Sequence, residues 1–138
     1  MNYWQTRIVH EVAILAIRFG NVNYDEKKFS WIQIPDFELP PGWNRLRTDL
    51  LIELPAAYPE VPPDGFFINK NLRPTNGRTL EHYFQDQSQH NRLAHLGWAW
   101  YCIHPDKFIW TPSASISRGD NLLKYIELIR LVLTEAVQ

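Results

Sequence analysis

The chain carries one thiol, Cys102, and His104 follows two positions later in the run Trp98-Ala99-Trp100-Tyr101-Cys102-Ile103-His104. A thiolate, not a thiol, attacks carbonyl carbon, and near an ordinary pKa of about 8.5 only a few per cent is ionised at neutral pH. A nucleophilic cysteine therefore wants a polar or cationic neighbour. In a strand, positions two apart share a face, so Cys102 and His104 could cooperate there. Taken alone, a single cysteine is more often a small buried hydrophobe. A Cys-His hydrolase would further need a third group to orient the histidine, and none is identifiable.

Other chemistries find less support. His82, His90, His95 and His104 show neither the His-Glu-x-x-His arrangement nor a spacing that joins two ligands on one helix, and one cysteine is too few for a thiolate zinc site. No metal is expected. The carboxylate pairs Asp25/Glu26 and Asp36/Glu38 sit beside turns, where solvation accounts for them. The segment around Gly77 lacks the second glycine and the Lys-Ser/Thr of a phosphate loop. Trp98, Trp100 and Tyr101 could stack bases, but without a basic groove they read as core.

The elements that must position Cys102 fit one domain over residues 1–138. With 45% hydrophobic residues the chain has ample material for a core. Fourteen Lys+Arg against fifteen Asp+Glu leave a formal charge of −1, which supplies no field to draw nucleic acid or an anionic membrane. The opening MNYWQTRIVHEVAILAIRFG lacks a signal-peptide pattern, and Arg7, His10, Glu11 and Arg18 interrupt its apolar run. With a single cysteine, this predicts a reducing, cytoplasmic setting.

Trp4, Ile8, Val12 and Leu15 recur at helical steps over Tyr3–Phe19, although the β-branched second half leaves a strand open there. A strand is predicted from Phe29 to Ile34, stopped by Pro35, and a second from Arg47 to Leu54. Four prolines between Pro55 and Pro63 predict an extended connector, followed by a third strand over Gly65–Ile68. Asn69 to His95 reads as long, polar and irregular, a length that compact domains usually keep for function. The stripe Leu122, Leu123, Ile126, Ile129, Val132 and Leu133 predicts a closing helix, with Asp120 as N-cap or first-turn acid.

Two stretches, Asn44 to Ile68 and Gly97 to Leu133, resemble the ubiquitin-conjugating enzyme fold. TDLLIELPAAYPEVPPDGFFI is similar to that family's central strand, its Tyr-Pro-x-x-Pro-Pro connector (Tyr58, Pro59, Pro62, Pro63) and the next strand. Cys102 precedes Trp110 by eight residues and Pro112 lies two beyond, matching the family's cysteine and Trp-Ser-Pro segment with Thr111 in place of Ser. Gly97-Trp98, Cys102-x-His104 and Asp120-x-Leu122 resemble the abbreviated bacterial branch, which lacks the last two helices. The resemblance implies an α+β fold: N-terminal helix, antiparallel β-meander, irregular active-site region, C-terminal helix.

It also implies that Cys102 accepts a ubiquitin-like protein as a thioester from an adenylating, activating enzyme and passes it to a target amine. No cofactor is needed, since ATP is spent upstream. The family's His-Pro-Asn segment is missing, with Arg92-Leu93-Ala94 in its stretch. An oxyanion donor is worth about 2.7–4 kcal/mol of barrier, so another group must serve; of His90, Asn91, His95 and His104, His104 ranks first and His95 second. By the same resemblance the first helix, with Arg7 and Arg18, meets the activating enzyme, and bacterial relatives belong to antiphage conjugation systems. The alternative is a catalytically silent member that binds a ubiquitin-like protein or scaffolds a partner, with Cys102 merely packed.

Overall fold

The first helix begins where Asn2 and Gln5 cap each other: the Gln5 N–H donates to Asn2 Oδ1 at 2.9 Å and the Asn2 N–H to Gln5 Oε1 at 3.2 Å. The computed structural model describes residues 1–138, the Pro105 side chain excepted. Helix α1 spans Tyr3–Phe19 without interruption, so the strand left open for its second half does not form. Ile8, Val12 and Leu15 sit one turn apart and bury together, and that stripe decides against the local β preference. No helix among the described residues is long and apolar enough to cross a membrane.

Six strands follow: β1 Asn23–Tyr24, β2 Trp31–Glu38, β3 Arg47–Glu53, β4 Gly65–Asn69, β5 Tyr83–Phe84 and β6 Trp98–Cys102. They form one antiparallel sheet in the order β1-β2-β3-β4-β6-β5. Pro35 does not stop β2. The register against β3 shifts between Ile34 and Phe37, with Asp36 at φ 53°, and a bulge of this kind accommodates a residue that has no amide to donate.

Alternate residues of the strands, among them Ile32, Ile34, Leu50, Ile52, Phe66 and Ile68, bury against Ile8 and Leu15 of α1 and Ile126, Ile129 and Leu133 of the second helix, α2, Leu122–Glu135. The N-cap of α2 is Asn121, whose Oδ1 accepts from the Lys124 N–H at 2.9 Å, and not Asp120. Asp120 is engaged elsewhere: its carboxylate accepts from the Thr111 N–H at 2.6 Å.

Two charged residues of α1 face inward. Arg7 Nε donates to Glu11 Oε2 at 2.9 Å, and Nη1 and Nη2 reach the carbonyls of Ser113 (2.5 Å) and Asp120 (3.2 Å). Glu11 also accepts from the Tyr58 hydroxyl at 2.7 Å and, through Oε1, from the Leu122 N–H at 2.6 Å, which sets a carboxylate at the positive end of α2. Burial works against the charge on Arg7, but the Glu11 hydrogen bond and charge outweigh it and its pKa rises. Arg7 is therefore not a surface contact for an activating enzyme; of the two arginines named for that role, only the exposed Arg18 is free to reach outward, and it lies 3.4 Å from Glu127.

The proline-rich connector is turned and not extended. The Tyr58 N–H donates to Pro55 O at 3.0 Å and the Val61 N–H to Ala57 O at 3.1 Å, and the turn carries the Tyr58 ring into the core beneath Glu11. Trp110 closes the arrangement, its Nε1–H donating to Pro59 O at 2.7 Å.

Candidate active site

Cys102 is the last residue of β6 and pairs with Gly65, the first of β4. A side chain at Gly65 would collide with the Tyr101 carbonyl and the Trp100 ring, and the glycine lies at φ 156°, so only glycine brings β4 this close to the end of β6. The next amide, Ile103 N–H, donates to Asp64 O at 3.0 Å. On the other side the Cys102 N–H donates to His82 O at 2.9 Å. The nucleophile candidate is thus pinned between two neighbouring segments.

His82 comes to this place through the irregular stretch. Tyr83 and Phe84 pair with Tyr101 and Trp100, which puts His82 opposite Cys102. Asn91, fully buried, holds that pairing: its amide donates to Phe84 O at 2.8 Å and to Trp98 O at 2.9 Å, and its Oδ1 accepts from the Leu93 N–H at 3.2 Å. Tyr83 adds a bond from its hydroxyl to Leu72 O at 2.8 Å. Asn91 is committed to the scaffold, and His90 stacks on Phe84 at 4.6 Å.

The Nε2 of His104 stands 3.2 Å from Nδ1 of His82, with the rings 4.5 Å apart at 76°. His82, His104 and Cys102 line one open groove of about 580 Å³, bounded by Leu80 on one side and by Leu128, Leu131 and Val132 of α2 on the other. Cys102 is half-buried there. Burial pushes its thiol pKa up, and the nearby negative charge of Asp64 pushes it further. On α2 the Tyr125 hydroxyl is buried with no hydrogen-bond partner among the described residues, and burial holds its pKa high.

His95 is elsewhere. It lies in the single 3₁₀ turn Ala94–Leu96 before β6, at the opposite end of that strand from Cys102, and both its N–H and Nδ1 engage Gln87 Oε1 at 2.8 and 3.1 Å. The fold therefore brings Cys102 and His104 to one groove, adds His82 to it, and keeps His95 out, while the charge of Asp64 reaches the thiol from outside the groove lining. His82 entered the sequence reading only as a metal candidate. The signal that would have found it is the pair Tyr83-Phe84, a two-residue aromatic strand that has the aromatic Trp100-Tyr101 as its partner.

A thiol in an open groove with an apolar wall suits attack on the acyl end of an extended chain, and an imidazole edge beside it suits the oxygen that becomes negative. The model of a family described as Prokaryotic E2 family E matches residues 16–136. No curated protein and no solved structure matches the chain.

Proposed function

The chain belongs to the prokaryotic E2 family E, and on that premise we propose that Cys102 carries a ubiquitin-like protein as a thioester between an activating enzyme and an amine. Sγ of Cys102 attacks the acyl carbon of the activating enzyme's thioester. The tetrahedral oxyanion collapses, and the activating enzyme's thiol leaves with the proton that Cys102 gives up. In the second step an amine nitrogen attacks the same carbon, the C–N bond forms, the C–S bond breaks, and Cys102 regains a proton as the amine loses one. His104 serves as the donor to the oxyanion in both steps. On the family likeness alone, the reading extends to a bacterial conjugation pathway of the antiphage kind.

The observation that carries this reading is the position of Cys102: half-buried at a strand end, in a groove it shares with two imidazoles. The raised thiol pKa fits a carrier as well, because a thiol of high pKa is a poor leaving group and guards its thioester until a strong nucleophile arrives. The same shift is the one observation on the side of a silent binding module, since it leaves less thiolate for loading.

Intact mass after incubation with a candidate activating enzyme, a ubiquitin-like protein and ATP decides between the two. A carrier gives an adduct that thiol reductant removes, that Cys102→Ala abolishes, and that Cys102→Ser turns into a reductant-resistant ester. A folded wild type left unmodified while the activating enzyme itself becomes charged refutes the carrier and leaves the binding module.

A further inference from the structure

A hydrogen bond between two imidazole nitrogens fixes more than distance. Of the facing pair, one nitrogen donates and the other accepts, so the contact between His82 Nδ1 and His104 Nε2 commits one nitrogen on each ring and leaves Nδ1 of His104 for other work. That nitrogen makes no hydrogen bond among the described residues, and His104 is exposed on the groove that holds Cys102. His82 is itself set firmly. Its backbone sits at φ 61°, its carbonyl accepts from the Cys102 amide at 2.9 Å, and the β5–β6 pairing pegged by Asn91 fixes it opposite the cysteine. An exposed imidazole two residues beyond the end of β6 has little else to hold its ring: the backbone N–H of Lys107 reaches the His104 carbonyl, not the side chain.

We infer that His82 is a positioning residue, whose imidazole holds His104 by Nε2 so that the Nδ1 edge of His104 serves the acyl group carried on Cys102. This deepens the carrier reading and rests on it. When an amine attacks that acyl carbon, the carbonyl electron pair moves onto oxygen and His104 Nδ1–H donates to it. Collapse restores the carbonyl and expels the Cys102 thiolate, which takes up the proton shed by the amine through solvent. For His104 to donate from Nδ1 while neutral, Nε2 must accept, and the His82 Nδ1–H supplies that bond.

The test acylates Cys102 of the full chain by thiol exchange with a short peptide thioester ending in glycine, then follows discharge to free lysine by intact mass. The N-acetylcysteine thioester of the same peptide, whose blocked amine cannot capture the acyl group, is the reference, so no activating enzyme enters this measurement. Wild type should discharge faster than the reference. His82→Phe, which keeps the backbone carbonyl that holds Cys102, should slow discharge about tenfold or more, bounded by the about 10²–10³ that loss of one oxyanion donor costs. His82→Asn, which places an amide near the former Nδ1 and tolerates positive φ, should recover most of the rate. In a His104→Ala background His82→Phe should change nothing further. Equal losses in both backgrounds would assign His82 a merely structural part, and an unchanged His82→Phe rate would remove its part altogether; either result overturns the inference. Failure of the carrier reading shows separately, as no enzyme-dependent loading of a wild type that still discharges the peptide faster than the reference.

Discussion

The knot around Glu11 and the groove around Cys102 are both built of polar side chains, yet they treat those groups in opposite ways. In the knot, Glu11 receives three hydrogen bonds, from Arg7, Tyr58 and Leu122, and Arg7 also donates from Nη1 and Nη2 to two carbonyls of the segment that follows Trp110. Nothing there is left for a ligand, and both residues are all but excluded from solvent. In the groove, Nδ1 of His104 stands unpaired among the described residues and the thiol is pushed toward its neutral form. Polar satisfaction is complete for the knot's carboxylate and relaxed at the groove's imidazole and thiol. Perturbing the first region should therefore cost stability, and perturbing the second should cost reactivity.

The sharpest way to break this division is Glu11→Ala. It strands the Arg7 guanidinium in the core and orphans the Tyr58 hydroxyl and the Leu122 amide, so a loss of about 3–5 kcal/mol is expected in urea unfolding. Arg7→Met with Glu11→Leu should cost much less, because no buried charge is left unpaired. A Glu11→Ala loss below about 1 kcal/mol would mean that the knot is not what ties α1 to the connector and to α2.

How much of this division was readable in the residues follows from the range of each interaction. The apolar stripe of α1, though not where the helix ends, the strands around Leu50 and Phe66 and the stripe of α2 were legible, because apolar spacing within one segment dictates them. So was the Cys102–Trp110 spacing, a local motif whose tryptophan turns out to clamp the connector at Pro59. The inward turn of Arg7 and Glu11 was not, since their partners come from Tyr58, Ser113, Asp120 and Leu122, and a helical wheel sees only one helix. Pro35 reads locally as a stop because the bulge that absorbs it is a property of the β2–β3 register. Asp120 and Asn121 are both good caps by type, and only the pull of Thr111 on Asp120 decides between them. His82 was hidden for the same reason: a two-residue strand has no periodicity, and its place opposite Cys102 exists only once Asn91 has pegged β5 to β6.

Two buried tyrosines give a finer comparison within one residue type. Tyr58 donates to the Glu11 carboxylate, whereas Tyr125, equally buried, donates to nothing among the described residues. Removing the hydroxyl should cost about 1.5–3 kcal/mol at Tyr58, where the bond is to a charged group, while Tyr125→Phe should be neutral or slightly stabilising. Thermal or urea unfolding of the two variants side by side measures the difference. Equal costs would show that the Tyr125 hydroxyl is satisfied in solution as well as that of Tyr58.

The smallest effect is in the titration of Cys102 itself, and its sign follows from the two causes of the shift. Burial and the charge of Asp64 both favour the neutral thiol, so at any pH below the shifted value Cys102 holds less thiolate than a free cysteine. Iodoacetamide modification of the wild type should lag that of a free thiol at pH 8, and should keep rising at a pH where the free thiol has levelled off. Asp64→Asn removes only the second cause, so it should speed the reaction slightly and leave most of the lag in place. Linkage gives the stability counterpart: a group whose pKa is raised in the fold contributes stability that is present below the ordinary thiol range and is lost as pH climbs through it. Cys102→Ala should flatten that small decline while abolishing any acyl adduct. A thiol that reacted as fast as a free cysteine at pH 8 would mean that a cation of the groove lining, Arg78 or Lys107, offsets burial and Asp64, and the contrast between an unactivated thiol and a satisfied knot would fail at the one atom on which the proposed chemistry turns.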